Sequence, residues 1–454
     1  MVTLRRRRLE SPRGLGVRHG SAALAVVVAV SVVGCGVSTN PTSGPSGSPS
    51  TGYASFSAAS PAGSSSPAAS APAPTPVASA RPSTSAARPS ARPSLPALSE
   101  PAAYGTARFP PGYTAYHTYA QMAAEVRATA AAHPSLVRMF SIGRSVEGAD
   151  LWAVQVSEDV GVDHGRPEAL FDGLHHALEH MSLEMTLAIL RWLVDGYGHD
   201  TQVTALLRSR VVDIVFAVNP DGAAYDTSGG RFHDWRKNRQ PEPGGAIGTD
   251  LNRNYADHWG CCGLVSASPA SPYYRGTAPF SAPETRALAR FIESRVIGGR
   301  QRITVAITFH TSGRLILWPY GYTTAAVPPD LTAADHATFV ALGRAMAARD
   351  GYLAEQASGL YVDSGTERDW DYGREHIFAF TMELATGVYQ PSSAIAPELA
   401  RNRSAVLYLI GMADCPYRAA ALQATHCGSA SGDQVIFAGT LPARPSSPSE
   451  LRRV

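Results

Sequence analysis

The stretch Gly-Leu-His-His-Ala-Leu-Glu-His, residues 173–180, places three histidines and a glutamate in its last six positions. That density points to metal chemistry. The stretch joins a short apolar run, Ala169 to Leu174, to a longer one, Met181 to Trp192, in which Met181, Met185, Ile189 and Trp192 recur on one side of a helix. A buried strand handing over to a helix is the unit of an α/β domain, so this junction bears on fold and chemistry together. Two ligand choices fit it equally well. Either His176 and His180 bind a metal with Glu179 as the base, or His176 and Glu179 bind it and His180 stands aside. One helical turn brings either pair to the same side.

Outward from this junction the same alternation continues. Val211 to Val218, Ile303 to Phe309 and Ile377 to Leu384 read as buried strands, and Ala334 to Arg349 and Ile395 to Met412 as helices. The expected fold is α/β, a single domain over residues 104–427 with a central mixed, mostly parallel twisted sheet flanked by helices. Its site should lie at the C-terminal ends of the strands.

A formal charge of +2 gives no reason to expect nucleic acid as a partner, and 17% charged residues is low enough to suggest that part of the chain does not fold as a globule. Arg5, Arg6, Arg7, Arg8, Arg13 and Arg18 precede the apolar run Ala22 to Val33, the layout of a secretory signal. The run ends in Val32-Val33-Gly34-Cys35, which resembles a bacterial lipobox and would make Cys35 a lipidated residue; an uncleaved signal anchor is the alternative. Either way the chain is exported, and tethered to the outer face of the cell membrane or secreted. Residues 36–103, rich in Ser, Pro and Ala, are expected to form a disordered spacer, and 428–454 a disordered tail. Outside the cytoplasm, Cys261, Cys262, Cys415 and Cys427 are expected in disulfides, with Cys415 to Cys427 a plausible local staple.

Distant residues separate the two ligand choices. The first is the His-x-x-Glu-His pattern of the inverzincins, which needs another acid on a helix about seventy residues onward. Residues 246–256 offer only Asp250, in a loop-like Asp-Leu-Asn-Arg-Asn run. The second choice needs a histidine at the end of a buried strand, and Ile303 to His310 supplies one.

With His176-Ala-Leu-Glu179 and Phe309-His310-Thr-Ser in place, the sequence resembles the zinc metallocarboxypeptidases, the pancreatic enzymes and their secreted bacterial relatives, across nearly the whole domain. Further matching blocks stand in the family's order: Asn219-Pro-Asp-Gly222, Trp235-Arg-Lys-Asn-Arg239, Asp250-Leu-Asn-Arg-Asn254, Tyr361 before Asp369-Trp370, and Phe380-Thr-Met-Glu383-Leu. The resemblance implies one Zn2+ held by His176, Glu179 and His310, and Glu383 as base and acid toward a zinc-activated water. It implies Arg236 as oxyanion support with the metal, Asn252 and Arg253 as the clamp for a terminal carboxylate, and Tyr361 on a loop that closes over substrate. His180 and His175 are then structural. The implied partners are peptide or protein C-termini, and the membrane through the N-terminal anchor; the chain is expected to be a monomer.

Three departures concern specificity. Leu178 stands where the family usually has arginine, and Ser312 where tyrosine is common, which opens the subsites upstream of the cleaved bond. Arg368 matches the family position at the base of the pocket for the terminal side chain, where it would favour terminal Glu or Asp unless it pairs with its neighbour Glu367 or Asp369. Two other readings compete: a related zinc amidohydrolase acting on cell-wall peptides, and a catalytically silent surface-binding lipoprotein.

Overall fold

The computed structural model describes residues 102–427; the leader with Cys35, the segment up to residue 101 and the tail 428–454 lie outside the described residues. In chain order the strands are β1 (Val137–Arg144), β2 (Asp150–Val156), β3 (Glu168–Gly173), β4 (Val211–Val215), β5 (Val296–Ile297), β6 (Arg300–Gln301), β7 (Ile303–Thr311), β8 (Leu315–Trp318), β9 (Leu353–Gln356) and β10 (Phe378–Leu384). The helices are α1 (Tyr119–Ala132), α2 (His180–Gly196), α3 (Thr201–Ser209), α4 (Pro220–Asp226), α5 (Pro283–Ser294), α6 (Ala333–Asp350), α7 (Glu367–Glu375), α8 (Ser392–Met412) and α9 (Gln423–His426).

Eight strands make one mixed sheet in the order β1-β2-β4-β3-β7-β10-β8-β9, while β5 and β6 pair separately. Four of its pairings are parallel and three antiparallel. All residues of the central strands β3, β7 and β10 are buried, as expected where helices cover both faces of a sheet. Alternation along these strands sorts the core into two layers. Phe171, Val305, Ile307, Phe309, Phe380 and Met382 face α2, α6 and α8. Leu170, Ala306 and Ala379 face the other way, toward Tyr255, α5 and Trp370 of α7. Fully burying one such large apolar side chain contributes about 1.5–3 kcal/mol. Among the described residues, no helix is long and apolar enough to cross a membrane.

Two sequence expectations change. Helix α2 is buried all round from His180 to Leu190, because the sheet and α8 enclose it, so its one-sided pattern understates its burial. The regular strand expected over Val211 to Val218 ends at Val215; Phe216, Ala217 and Val218 stay buried, with Phe216 N still donating to the Trp152 carbonyl of β2 at 3.2 Å and Val218 N to the Gly173 carbonyl of β3 at 3.0 Å before α4 begins.

Both disulfides are local: Cys261 to Cys262, and Cys415 to Cys427. The second closes a separation of 12 residues and ties the last turn, where His426 stacks on Tyr417 at 4.2 Å, to the end of α8. Cys415→Ser is expected to lower stability by about 2–3 kcal/mol in urea denaturation, with activity at low denaturant unchanged.

Candidate active site

Three chain exits from the central strands build the site. Leu174, Arg314 and Ala385 follow β3, β7 and β10, and each takes a left-handed backbone conformation, φ +64°, +57° and +58°. Such conformations are strained for residues other than glycine and cluster where a fold holds functional groups. Close packing fixes the first exit: a Cβ on Gly173 would meet the Ser182 carbonyl oxygen at 2.9 Å, and Leu174 N donates to Ser182 Oγ at 2.9 Å. In register, Glu383 on β10 pairs with His310 on β7, so the two side chains leave the same face of the sheet. By alternation this is the face turned toward Tyr255 and α7.

His176, Glu179 and His310 converge there. Glu179 Oε1 lies 2.8 Å from His176 Nδ1, its Oε2 2.9 Å from His310 Nδ1, and the two imidazole nitrogens are 3.0 Å apart. At most one proton fits between two nitrogens at that distance, yet both rings turn these atoms toward the same carboxylate. A cation satisfies all three donors at once. Two histidines and a glutamate are a donor set of catalytic zinc sites, so the residues fit the metal that the sequence implies.

The electrostatics favour the ligand forms. Burial raises the Glu179 pKa, but the His176 and His310 imidazoles outweigh it and hold the carboxyl well below its usual range. Burial pushes His310 down to about 4 against the opposing pull of Glu179, leaving a neutral imidazole near pH 7. Behind His176, Nε2 meets Asp250 Oδ1 at 3.3 Å, and Asp250 Oδ2 accepts from Arg236 Nε at 2.9 Å.

Asp250 is the residue whose role sequence reasoning missed. In the sequence it stands as the wrong acid for the inverzincin pattern and as the first residue of the matching block Asp250-Leu-Asn-Arg-Asn254, and its place beside the clamp residues was the signal for a role. A carboxylate behind a ligating histidine fixes its tautomer and orientation, and such partners are worth about 10–100-fold in metal affinity. Asp250→Asn is expected to weaken zinc binding by that factor in a chelator competition.

Around the centre stand the remaining candidates. Glu383 is buried, and burial, then the Glu179 charge, raises its pKa well above the usual range, while Arg236 and Arg368 pull it back. Arg236 keeps Nη2 without a hydrogen-bond partner, and its backbone oxygen accepts from Ala177 N inside the metal loop at 3.0 Å. Asn252 Nδ2 lies 3.4 Å from His310 Nε2. Arg253 is 1% exposed; Nε donates to the Leu264 carbonyl at 2.7 Å, Nη1 to the Asn252 carbonyl at 2.6 Å, and Nη2 has no partner. Tyr361 lies 5.9 Å from the Arg253 guanidinium and is 37% exposed, at the open side of the clamp.

Asn252 thus reaches the group of His176, Glu179 and His310 directly, Glu383 stands beside His310 in register, and Arg236 connects to it through Asp250. His180 instead meets Asp226 Oδ2 at 2.9 Å and packs edge-on to Phe109. Arg368 is buried with its donors on Asp369, Thr381, Thr366 and Asp363.

Comparison with known proteins identifies the family. The family model described as zinc carboxypeptidase matches residues 122–405, well over half the chain. The chain belongs to the zinc carboxypeptidase family. It is accordingly a zinc-dependent peptide hydrolase. This zinc carboxypeptidase is similar to the zinc carboxypeptidase of Saccharothrix mutabilis subsp. capreolus, 41% identical over 316 residues that cover 68% of this chain and 72% of that one. Carboxypeptidase A1 of Bos taurus is 30% identical over 295 residues, 63% of this chain and 67% of its own. Among solved structures, thrombin activatable fibrinolysis inhibitor matches with a TM-score of 0.60 and 28% identity, covering 66% of this chain and 74% of that one.

Proposed function

We propose that the enzyme removes single residues from the C-termini of peptides or proteins, with His176, Glu179 and His310 as the zinc ligands and Glu383 as the proton-transfer group. The observation that carries this reading is Arg253: a buried guanidinium with Nη2 unpartnered, set beside a metal group and a buried carboxyl on the same face. A permanently charged fork with a free N–H suits a carboxylate, and an exopeptidase must recognise a carboxylate.

When bound, zinc supplies a Lewis acid that lowers the pKa of water toward neutrality and polarises a carbonyl. The protein groups supply the rest. Arg253 and Asn252 hold the terminal carboxylate and so fix which peptide bond reaches the centre. Glu383 accepts a proton from the attacking water and passes it to the departing amine; its raised pKa suits both halves of that transfer. Arg236, oriented by Asp250, presents Nη2 to the oxyanion that develops on the scissile carbonyl. Tyr361 closes the exposed side and helps exclude water.

Terminal-residue preference turns on Arg368. An acidic preference requires its charge to exceed that of its neighbours, yet Asp369 Oδ1 at 3.0 Å and Asp363 Oδ1 at 3.4 Å already face it. A panel varying only the last residue tests this: faster release of Glu than of Leu or Lys supports the acidic reading, and the reverse removes it.

The same proposal places a lipidated Cys35 at the start of a spacer over residues 36–103, which holds the catalytic domain outside the membrane. The deciding experiment uses peptides with free or amidated C-termini, with and without a strong chelator. Release of one terminal residue from free C-termini alone, abolished by the chelator, is expected. Internal cleavage, or equal turnover of amidated peptides, would overturn the exopeptidase reading.

A further inference from the structure

On the far side of His310 lies a second group of converging donors that peptide hydrolysis does not use. Asp172 near the end of β3, His175 in the turn after it, and Glu367 at the start of α7 each offer a ligand atom, and these atoms lie within 4.8 Å of one another. None of the three residues is more than 1% exposed. Thr308 Oγ1 donates to Asp172 Oδ1 at 2.8 Å, and His175 Nδ1 stands 3.4 Å from the same oxygen. On the other side of the ring, His175 Nε2 is 3.1 Å from Glu367 Oε2 and 2.8 Å from the Tyr255 hydroxyl.

The balance of charge is incomplete. Apart from the His175 Nε2 contact at 3.1 Å, neither oxygen of Glu367 receives a well-aligned hydrogen bond, and neither does Oδ2 of Asp172, although the side chains are sealed from water. Asp371, one helical turn beyond Glu367 and 2% exposed, leaves Oδ1 unpartnered as well. Among the described residues, the ion-pair contacts of Asp172 and Glu367 run to His175, and none runs to a lysine or arginine. Burial raises all three carboxyl pKa values, with Asp172 pushed up to about 7, and for Glu367 the facing Asp172 and Asp371 add to it. Buried carboxylates in this position need protons or a cation. The convergence of an imidazole nitrogen with two carboxylate oxygens within 4.8 Å offers a cation three ligand atoms at once.

We propose that Asp172, His175 and Glu367 form a second, structural site for a divalent cation of the borderline class that accepts nitrogen together with carboxylate oxygen, such as Zn2+ or Mn2+. Its place gives it a purpose. Glu367 N donates to Asn252 Oδ1 at 3.0 Å, and Thr308 Oγ1 stands between Asp172 and His310 Nε2, 3.5 Å from the latter. An ion here braces the carboxylate clamp and the outer side of a catalytic ligand through one set of bonds.

The test is a metal count on the purified full chain after incubation with Zn2+ or Mn2+ and dialysis, by plasma mass spectrometry. Two equivalents per chain are expected. Glu367→Gln and Asp172→Asn, nearly isosteric changes, should each lose one equivalent, and Glu179→Gln should weaken the other while leaving this one. Anomalous diffraction from Mn2+-soaked wild-type crystals should place an ion among the three side chains, a reading that needs no variant to fold. One equivalent in the wild type overturns the proposal, as does a second equivalent that survives both Glu367→Gln and Asp172→Asn. A wild type with one equivalent and full carboxypeptidase activity sinks this inference alone and leaves the proposed function standing.

Discussion

Glu383→Gln lowers kcat/KM for peptides with free C-termini by about 10³–10⁴-fold while zinc content stays at the wild-type level. The amide keeps the volume of the side chain in β10 and every apolar contact of that strand, so the fold should be unaffected. What it removes is proton transfer, which general acid–base groups supply at about 10²–10⁴-fold; a residue serving both as base and as acid belongs at the upper end. KM should move little, because the carboxylate clamp is made by Arg253 and Asn252. The fall should therefore appear in kcat. The pH profile gives a second reading. Burial and Glu179 raise the Glu383 pKa, and Arg236 and Arg368 oppose them. The base must be ionised to act, so wild-type activity falls as pH drops through that pKa, and the residual activity of Glu383→Gln should lack this acid limb. Loss of zinc from the variant, or an unchanged kcat, would remove Glu383 from the reaction.

Why the sequence disclosed this residue and concealed others is a matter of physical contrast. A glutamate in the apolar run Ile377 to Leu384 conflicts with burial, and a conflict of that kind marks a site. His310 ends a continuous apolar strand, which announces both the strand and the place where sites gather. By contrast, Asp250 sits in a polar loop where acids are ordinary, and only the fold carries it to His176. For Arg368 the sequence offers two readings, a pocket charge or a partner of its neighbours Glu367 and Asp369; the structure pairs it with Asp369 and also with Asp363, a loop residue whose direction no periodicity encodes. The outer strands β1, β8 and β9 escaped for a related reason: they are short or partly exposed, so their alternation is weak. Helix α2 was read as one-sided because Ser182, Glu184 and Thr186 look like a solvent face. All three are buried, Glu184 against His117 and the hydroxyls on backbone carbonyls.

Arg253→Ala should reduce kcat/KM for free C-termini by about 10²–10³-fold and leave the slow background turnover of amidated peptides unchanged. The guanidinium is held on one side by the Leu264 and Asn252 carbonyls and by Asp363 Oδ2 at 3.4 Å, which leaves Nη2 for the substrate. Deleting one partner of a buried charge-assisted pair costs about 2–5 kcal/mol, and the middle of that range corresponds to the stated factor. Arg253→Lys separates charge from geometry: a point charge keeps part of the attraction but loses the planar fork, so it should fall between the wild type and alanine. Because Arg253→Ala also deprives Asp363 of a cation, some stability is lost as well, and both variants belong at a temperature where each is fully folded by circular dichroism. The ratio of free to amidated turnover then isolates the clamp from the fold. If that ratio is the same in the wild type and in Arg253→Ala, the terminal carboxylate is recognised elsewhere, and the exopeptidase assignment loses the observation on which it stands.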